Sequence, residues 1–225
     1  MIIEILKKCP TFSFLNHTEM KYVSTFFEKV SFKNHKYIFM EGDPSDWFYL
    51  VAVGRVKVLK HTLSGKDIIL EIMSPGDIFG GVAVLDKKPY PATAQAMETS
   101  TVIRISRPNF LKIMDEYPIL KLEIAKYFSD KLRDAHETLK NIATERVERR
   151  IASLLLKLSE KAGTEENGYK KINFTLTRQE IAEMVGTSVE TCIRTLSKFQ
   201  KQGMVQSSSG KILIKSDSLR NFLEG

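Results

Sequence analysis

Cysteine and histidine are scarce in this chain, and neither is arranged for chemistry. Two cysteines in 225 residues, Cys9 and Cys192, exclude a disulfide framework. They also fall short of the roughly four thiolates that hold an iron–sulfur cluster. The four histidines, His17, His35, His61 and His136, are scattered, with no metal-ligand spacing. No Ser/His/Asp or Cys/His arrangement is legible, so an enzyme built on a cupin-like β-roll is not expected. No apolar run approaches the roughly 18 residues of a membrane span. The opening MIIEILKK is too short and too charged for a signal peptide. The expectation is a soluble cytoplasmic protein without a membrane partner. An acidic excess is lacking as well. With 34 Lys and Arg against 27 Asp and Glu, the net charge is +7, which favours nucleic acid or another anionic partner. What is present is a hydrophobic fraction of 43%, enough for globular cores, and a length that fits two domains.

From Tyr37 to Ile105 short apolar runs recur between turn signals at Gly42-Asp43-Pro44, Gly54, Ser64-Gly65 and Pro75-Gly76-Asp77. Short strands at this spacing predict a sandwich or barrel. Residues 1–30 read as helical, as does NFLKIMDEY before Pro118. The segment from there to about Ile142 has no Gly or Pro. Its apolar residues Ala125, Phe128, Leu132, Ala135, Leu139 and Ile142 fall at alternating steps of three and four. That is a heptad stripe. It fits a two-chain coiled coil better than a helix packed only on its own domain. Beyond Thr144 come a helix over RVERRIASLLLKLSEKA, a polar loop GTEENGYKK, two short helices and a terminal hairpin.

The most informative stretch is TLTRQEIAEMVGTSVETCIRTLSKFQKQGMV. Thr177 and Glu180 form a capping box, Gly186 permits a tight turn, Ser188 caps a second helix and Gly203 ends it. Two short helices with a glycine turn between them are a helix-turn-helix. Cys192, Leu196 and Phe199 lie on the inner side of the second helix. Glu190, Ile193, Arg194 and Ser197 share the opposite face. Arg194 suits guanine O6 and N7, and Glu190 suits cytosine N4. The competing interpretation, an i,i+4 surface ion pair, is worth a few tenths of a kcal/mol and does not explain the surrounding pattern. VQSSSGKILI then reads as a hairpin turning at Ser209-Gly210, a wing able to touch phosphates through Lys211.

The chain resembles the CRP/FNR family of bacterial transcription regulators over essentially its whole length. The resemblance rests on FMEGDPSDWFYLVAVGRVKV, SPGDIFGG, the long helix and RQEIAEMVGTSVETCIRTLSKFQKQGMV. It implies an α+β protein in three parts: a β-roll (jelly-roll, cyclic-nucleotide-binding-like) effector-sensing domain over 1–117, a dimerisation helix over 118–143, and a winged helix-turn-helix DNA-binding domain over 144–225. It further implies a homodimer on palindromic double-stranded DNA, with RNA polymerase as a partner. Glu190 and Arg194 match the family's base-reading positions and favour a half-site containing TGA. Ile193 and Val189 depart from other members, which leaves the outer bases open. Thr177, Arg178, Ser188, Ser197, Lys198 and Lys211 complete the expected DNA contacts.

The effector is where the chain departs from its family. Members that bind cyclic AMP carry a glutamate after the FG and an arginine about ten residues later. Here those positions hold Gly81 and Tyr90 or Pro91. A buried monoanion without a charge partner costs several kcal/mol, so cyclic AMP is not expected. Lys87 and Lys88 are close by, at an expected hairpin tip where water solvates them. The expected pocket comprises Gly80, Gly81, Val82, Ala83, Tyr90, Ala92 and Thr93, with Ala135 and His136 from the long helix. It either persists for another ligand or has closed around Val82, Val84 and Leu85. Haem-based sensing of nitric oxide or another diatomic gas is the leading expectation for the effector, with His17, His35, His61, His136 or Cys9 as axial ligand. Cys192 points inward and is expected to pack rather than to sense oxidants.

Overall fold

The computed structural model describes residues 2–63, 65–208 and 210–224. Two compact units divide the chain, the first ending at Arg133 and the second beginning at Asp134. The boundary between them falls within the long helix.

The first unit opens with α1 (Ile2–Leu6), a 3-10 turn over Pro10–Phe12 and α2 (His17–Ser24). Asn16 caps α2 reciprocally with Glu19. The helical expectation for residues 1–30 stops short, because β1 already starts at Phe27. The strands are β1 (Phe27–Phe32), β2 (Tyr37–Phe39), β3 (Trp47–Val53), β4 (Val56–His61), β5 (Asp67–Met73) and β6 (Ile78–Phe79). After α3 (Gly81–Asp86) come β7 (Thr93–Ala96), β8 (Ser100–Ser106), α4 (Arg107–Glu116) and α5 (Pro118–Thr144). Among the described residues the strands form two sheets, ordered β1-β8-β3-β6 and β2-β7-β4-β5. This is the expected roll.

Strand β3 shows why the roll holds together. Its side chains alternate between faces. Phe48 and Leu50 join Ile103, Ile105, Phe110, Ile113, Leu120 and Ile124 in one core, against the helices. Tyr49 and Val51 join Phe39, Val56, Met73, Phe79, Tyr90 and Val102 in a second core. Burial on both faces explains why WFYLVAV reads as a continuous apolar run. Pro118 starts α5, where its missing N–H costs nothing.

The second unit contains α6 (Val147–Ala162), β9 (Gly163–Glu166), β10 (Tyr169–Thr175), α7 (Arg178–Val185), α8 (Val189–Lys201), β11 (Val205–Ser208), β12 (Lys211–Ile214) and α9 (Ser216–Glu224). Its sheet order is β11-β12-β10-β9. Two expectations change here. The polar loop GTEENGYKK is a hairpin, with Asn167 at φ 51° and Gly168 at φ 76° at its tip. That Asn-Gly pair is a hairpin turn signal, overridden in the sequence reading by the polarity of its flanks. The chain also ends in a helix, α9, whose Phe222 packs edge-on against Phe199 at 5.3 Å. Ser64 and Ser209, expected at turns, lie outside the described residues.

Candidate functional site

In the second unit, local sequence builds the reading surface. The Thr177 hydroxyl accepts from the Glu180 N–H at 3.1 Å, and the Glu180 carboxylate accepts from the Thr177 N–H at 2.8 Å. The same hydroxyl donates to Glu180 at 2.9 Å, so Thr177 is committed to starting α7, next to Arg178. Gly186 closes α7 at φ 68°, in the left-handed region that a side chain resists. Ser188 caps α8 by accepting from the Thr191 N–H at 3.2 Å. Cys192, Thr195, Leu196 and Phe199 are buried beneath α8. Glu190, Ile193, Arg194 and Ser197 are exposed on its other side, and Val189 is half-buried. Ile193 is 48% exposed and is the one exposed large hydrophobic side chain among the described residues from Val147 onward. Lys198 is exposed beside a shallow cleft that it shares with Arg146 and Arg149. Lys211 is half-buried where β12 leaves the wing turn. Burial pushes the Cys192 thiol up to about 11, which suits a packing residue.

The first unit contains a cavity of about 210 Å³. Of the expected pocket residues, Gly80, Gly81, Val82, Ala83, Tyr90 and Ala92 line it. Three do not. Thr93 is buried, and its hydroxyl accepts from the Glu41 N–H at 3.0 Å. Ala135 and His136 belong to the second unit and are exposed. The long helix contributes Tyr127, Phe128 and Lys131 instead, two turns earlier. Phe128 accordingly leaves the proposed interhelix stripe and turns toward the roll. The sequence reading also missed Phe39, Met73, Phe79 and Glu71. Phe39 and Phe79 fall within FMEGDPSDWFYLVAVGRVKV and SPGDIFGG, whereas no local motif marks Glu71 and Met73, which strand β5 brings to the cavity.

The two positions that depart from the family are filled in ways that exclude its usual chemistry. A Cβ on Gly81 would sit 2.8 Å from Phe48 and 3.1 Å from Phe128, so no glutamate could extend from there without displacing a ring. Tyr90 stacks on Phe39 at 3.7 Å with the planes 13° apart. Its hydroxyl donates to the Trp47 carbonyl at 2.5 Å, and burial raises its pKa above the usual phenol range. The one cationic side chain among the described lining residues is Lys131, in an ion pair with Glu71. A cyclic nucleotide phosphate does not fit this lining. Haem does not fit either, because no imidazole or thiol is among the lining residues. His17 begins α2, His35 sits in a turn at φ 62°, His61 pairs with Asp67 at 2.7 Å, and His136 is exposed. Cys9 is packed in the helix-side core, where burial pushes its thiol up to about 11. Lys87 and Lys88 are exposed, but at the C-terminal end of α3 rather than at a hairpin tip. Val84 is fully buried in the helix-side core and Leu85 packs against it, whereas Val82 stays 54% exposed at the cavity.

Along α5, Ala125, Leu132, Ala135, Leu139 and Ile142 are exposed. Leu132 is 57% exposed, Leu139 65% and Ile142 49%. Leu122, three residues before Ala125, is 69% exposed. No helix among the described residues is long and apolar enough to cross a membrane.

Comparison with known proteins is consistent across both units. The profile of the cyclic nucleotide-binding domain matches residues 29–117, and that of the Crp-like helix-turn-helix domain matches residues 149–220. A CRP-like cAMP-activated global transcriptional regulator of Mycobacterium tuberculosis is 28% identical over 217 residues, covering 96% of each chain. An anaerobic regulatory protein of Bacillus subtilis is 29% identical over 199 residues, 87% of this chain and 84% of that one. The structure of FixK2 from Bradyrhizobium japonicum superposes with a TM-score of 0.78 at 22% identity, over 87% of this chain and 96% of the other, a likeness of fold.

Proposed function

The chain belongs to the CRP/FNR family of transcription regulators, with a DNA-binding helix-turn-helix and an effector-binding domain, and from that premise we propose how it reads its target. It acts as a homodimer joined along the exposed stripe of α5, placing two copies of α8 in successive major grooves about 34 Å apart. Arg194 takes the guanine of a TGA half-site through O6 and N7, and Glu190 accepts from N4 of the paired cytosine. Ile193 meets a thymine methyl on a neighbouring base pair, the partner suited to an exposed β-branched side chain among polar ones. Lys211 and the first turn of α7 bear on phosphates, which position the duplex without specifying it. RNA polymerase is the expected downstream partner. The observation that carries this reading is the two-sidedness of α8: four buried anchors beneath, four exposed side chains above.

The test is binding to a TGA-containing palindrome and to its scrambled form at two salt concentrations. The palindrome is expected to bind more tightly at both, with a steep salt slope from phosphate contacts. Equal binding to the two duplexes refutes the base-reading assignment. Dimerisation is tested by Leu132→Glu, which is expected to sediment as a monomer and to lose the palindrome. A dimeric, active variant places the interface elsewhere.

A further inference from the structure

We infer that the cavity of the first unit takes a neutral, largely apolar aromatic molecule of one or two rings, carrying a single N–H or O–H group. The inference rests on reading that unit as effector-binding and supplies the class of effector. Five aromatic rings line the space, from Phe39, Phe79, Tyr90, Tyr127 and Phe128, together with Met73, Ile78 and Ala92. The volume, about 210 Å³, exceeds that of an engineered apolar cavity of about 150 Å³ that holds benzene. One or two rings fill it.

The electrostatics exclude an anion. Glu71 and Lys131 are both in the lining and neutralise each other. The Tyr127 hydroxyl donates to the Ile78 carbonyl at 2.8 Å and the Tyr90 hydroxyl to Trp47. Burial raises both phenols, so they stay uncharged and already engaged. Where the resemblance places a glutamate for the ribose and an arginine for the phosphate, this chain has Gly81 and Tyr90 or Pro91, and rings occupy the space around Gly81 and Tyr90. The carboxylate of Glu71 and the ammonium of Lys131 together offer one acceptor and one donor to a ligand's polar edge.

The experiment is ligand-observed NMR with indole and 1-naphthol as neutral probes, and indole-3-acetate and cyclic AMP as anionic ones, on the full chain. Both neutral probes are expected to bind with a dissociation constant of about 1 mM or below. Val82→Trp, at an exposed lining position, is expected to weaken them about ten-fold by filling the entrance. Glu71→Gln leaves the Lys131 charge unmatched and is expected to shift the preference toward indole-3-acetate by about five-fold. Melting curves accompany each variant, and Glu71→Gln decides the matter if Val82→Trp does not fold. The inference is overturned if neither neutral probe binds, if both folded variants leave binding unchanged, or if indole-3-acetate or cyclic AMP binds the unaltered chain more tightly than indole. Operator binding is measured on the same preparation. If no neutral probe binds but sequence-specific DNA binding survives, the ligand class alone is wrong. If sequence specificity is absent, the regulator reading itself falls.

Discussion

The α7–α8 turn and the loop from Pro75 to Ala94 each turn on a glycine in the left-handed region, but the first is held by side chains from its own neighbours and the second is surrounded by side chains from distant strands. In the turn, each motif residue acts on a near neighbour: Thr177 on Glu180, Ser188 on Thr191. In the loop, Gly80 keeps its left-handed φ of 76° and starts a helix. The space beside it is lined by side chains arriving from distant strands, several of them aromatic. A conserved-looking turn is therefore a sound guide to shape and a poor one to ligand.

The comparison can be broken most forcefully on the DNA side. Arg194→Ala is expected to cost about 1–3 kcal/mol at the palindrome and relax selectivity at one base, measured by filter binding. An equal loss on random DNA would reduce Arg194 to a phosphate contact. On the cavity side, Gly81→Ala is expected to lower stability by about 2 kcal/mol, because the new methyl meets Phe48 and Phe128. A denaturant titration checks this. An unchanged midpoint would mean the rings move aside easily and the space for a charged side chain was never closed. Tyr90→Phe is expected to cost about 1 kcal/mol in the same assay, by leaving the Trp47 carbonyl without its donor. Replacing thymine by deoxyuridine, one position at a time, is expected to weaken binding by about 0.8 kcal/mol at one thymine per half-site. That penalty should vanish in Ile193→Ala. The smallest expected effect concerns the thiols. At pH 8 Cys9 and Cys192, both pushed up to about 11, hold roughly one thiolate per thousand molecules. Native protein should therefore resist iodoacetamide, as followed by mass spectrometry, and rapid labelling of Cys192 would reopen a redox role for α8.

Much of the architecture was legible because it is written locally. The capping residues, Gly186 and the inner positions Cys192, Leu196 and Phe199 of the second unit all fall where the 3.6-residue period and turn chemistry put them. The roll was legible as a class from its turn spacing. The cavity was legible only in the loop itself. Glu71 and Lys131 are 60 residues apart, and nothing in a linear reading brings them together. The heptad pattern of α5 was real but ambiguous. Phe128 fits the stripe by spacing, yet its ring turns to the roll, because its neighbours Ile124 and Tyr127 already face that side. The hairpin after α6 was hidden by composition, since charged flanks outweighed a two-residue turn. The terminal α9 followed a hairpin too closely to be separated from it.

The chain contains a single tryptophan, Trp47. Its carbonyl receives the Tyr90 hydroxyl, its ring lies 3.9 Å beneath the Arg104 guanidinium, and it packs against the cavity's own aromatic cluster. A molecule entering among those rings must disturb the surroundings of the one indole in the protein. The protein thus carries an intrinsic optical reporter beside the cavity, and its emission spectrum is expected to change when a ligand enters, without any dye or label.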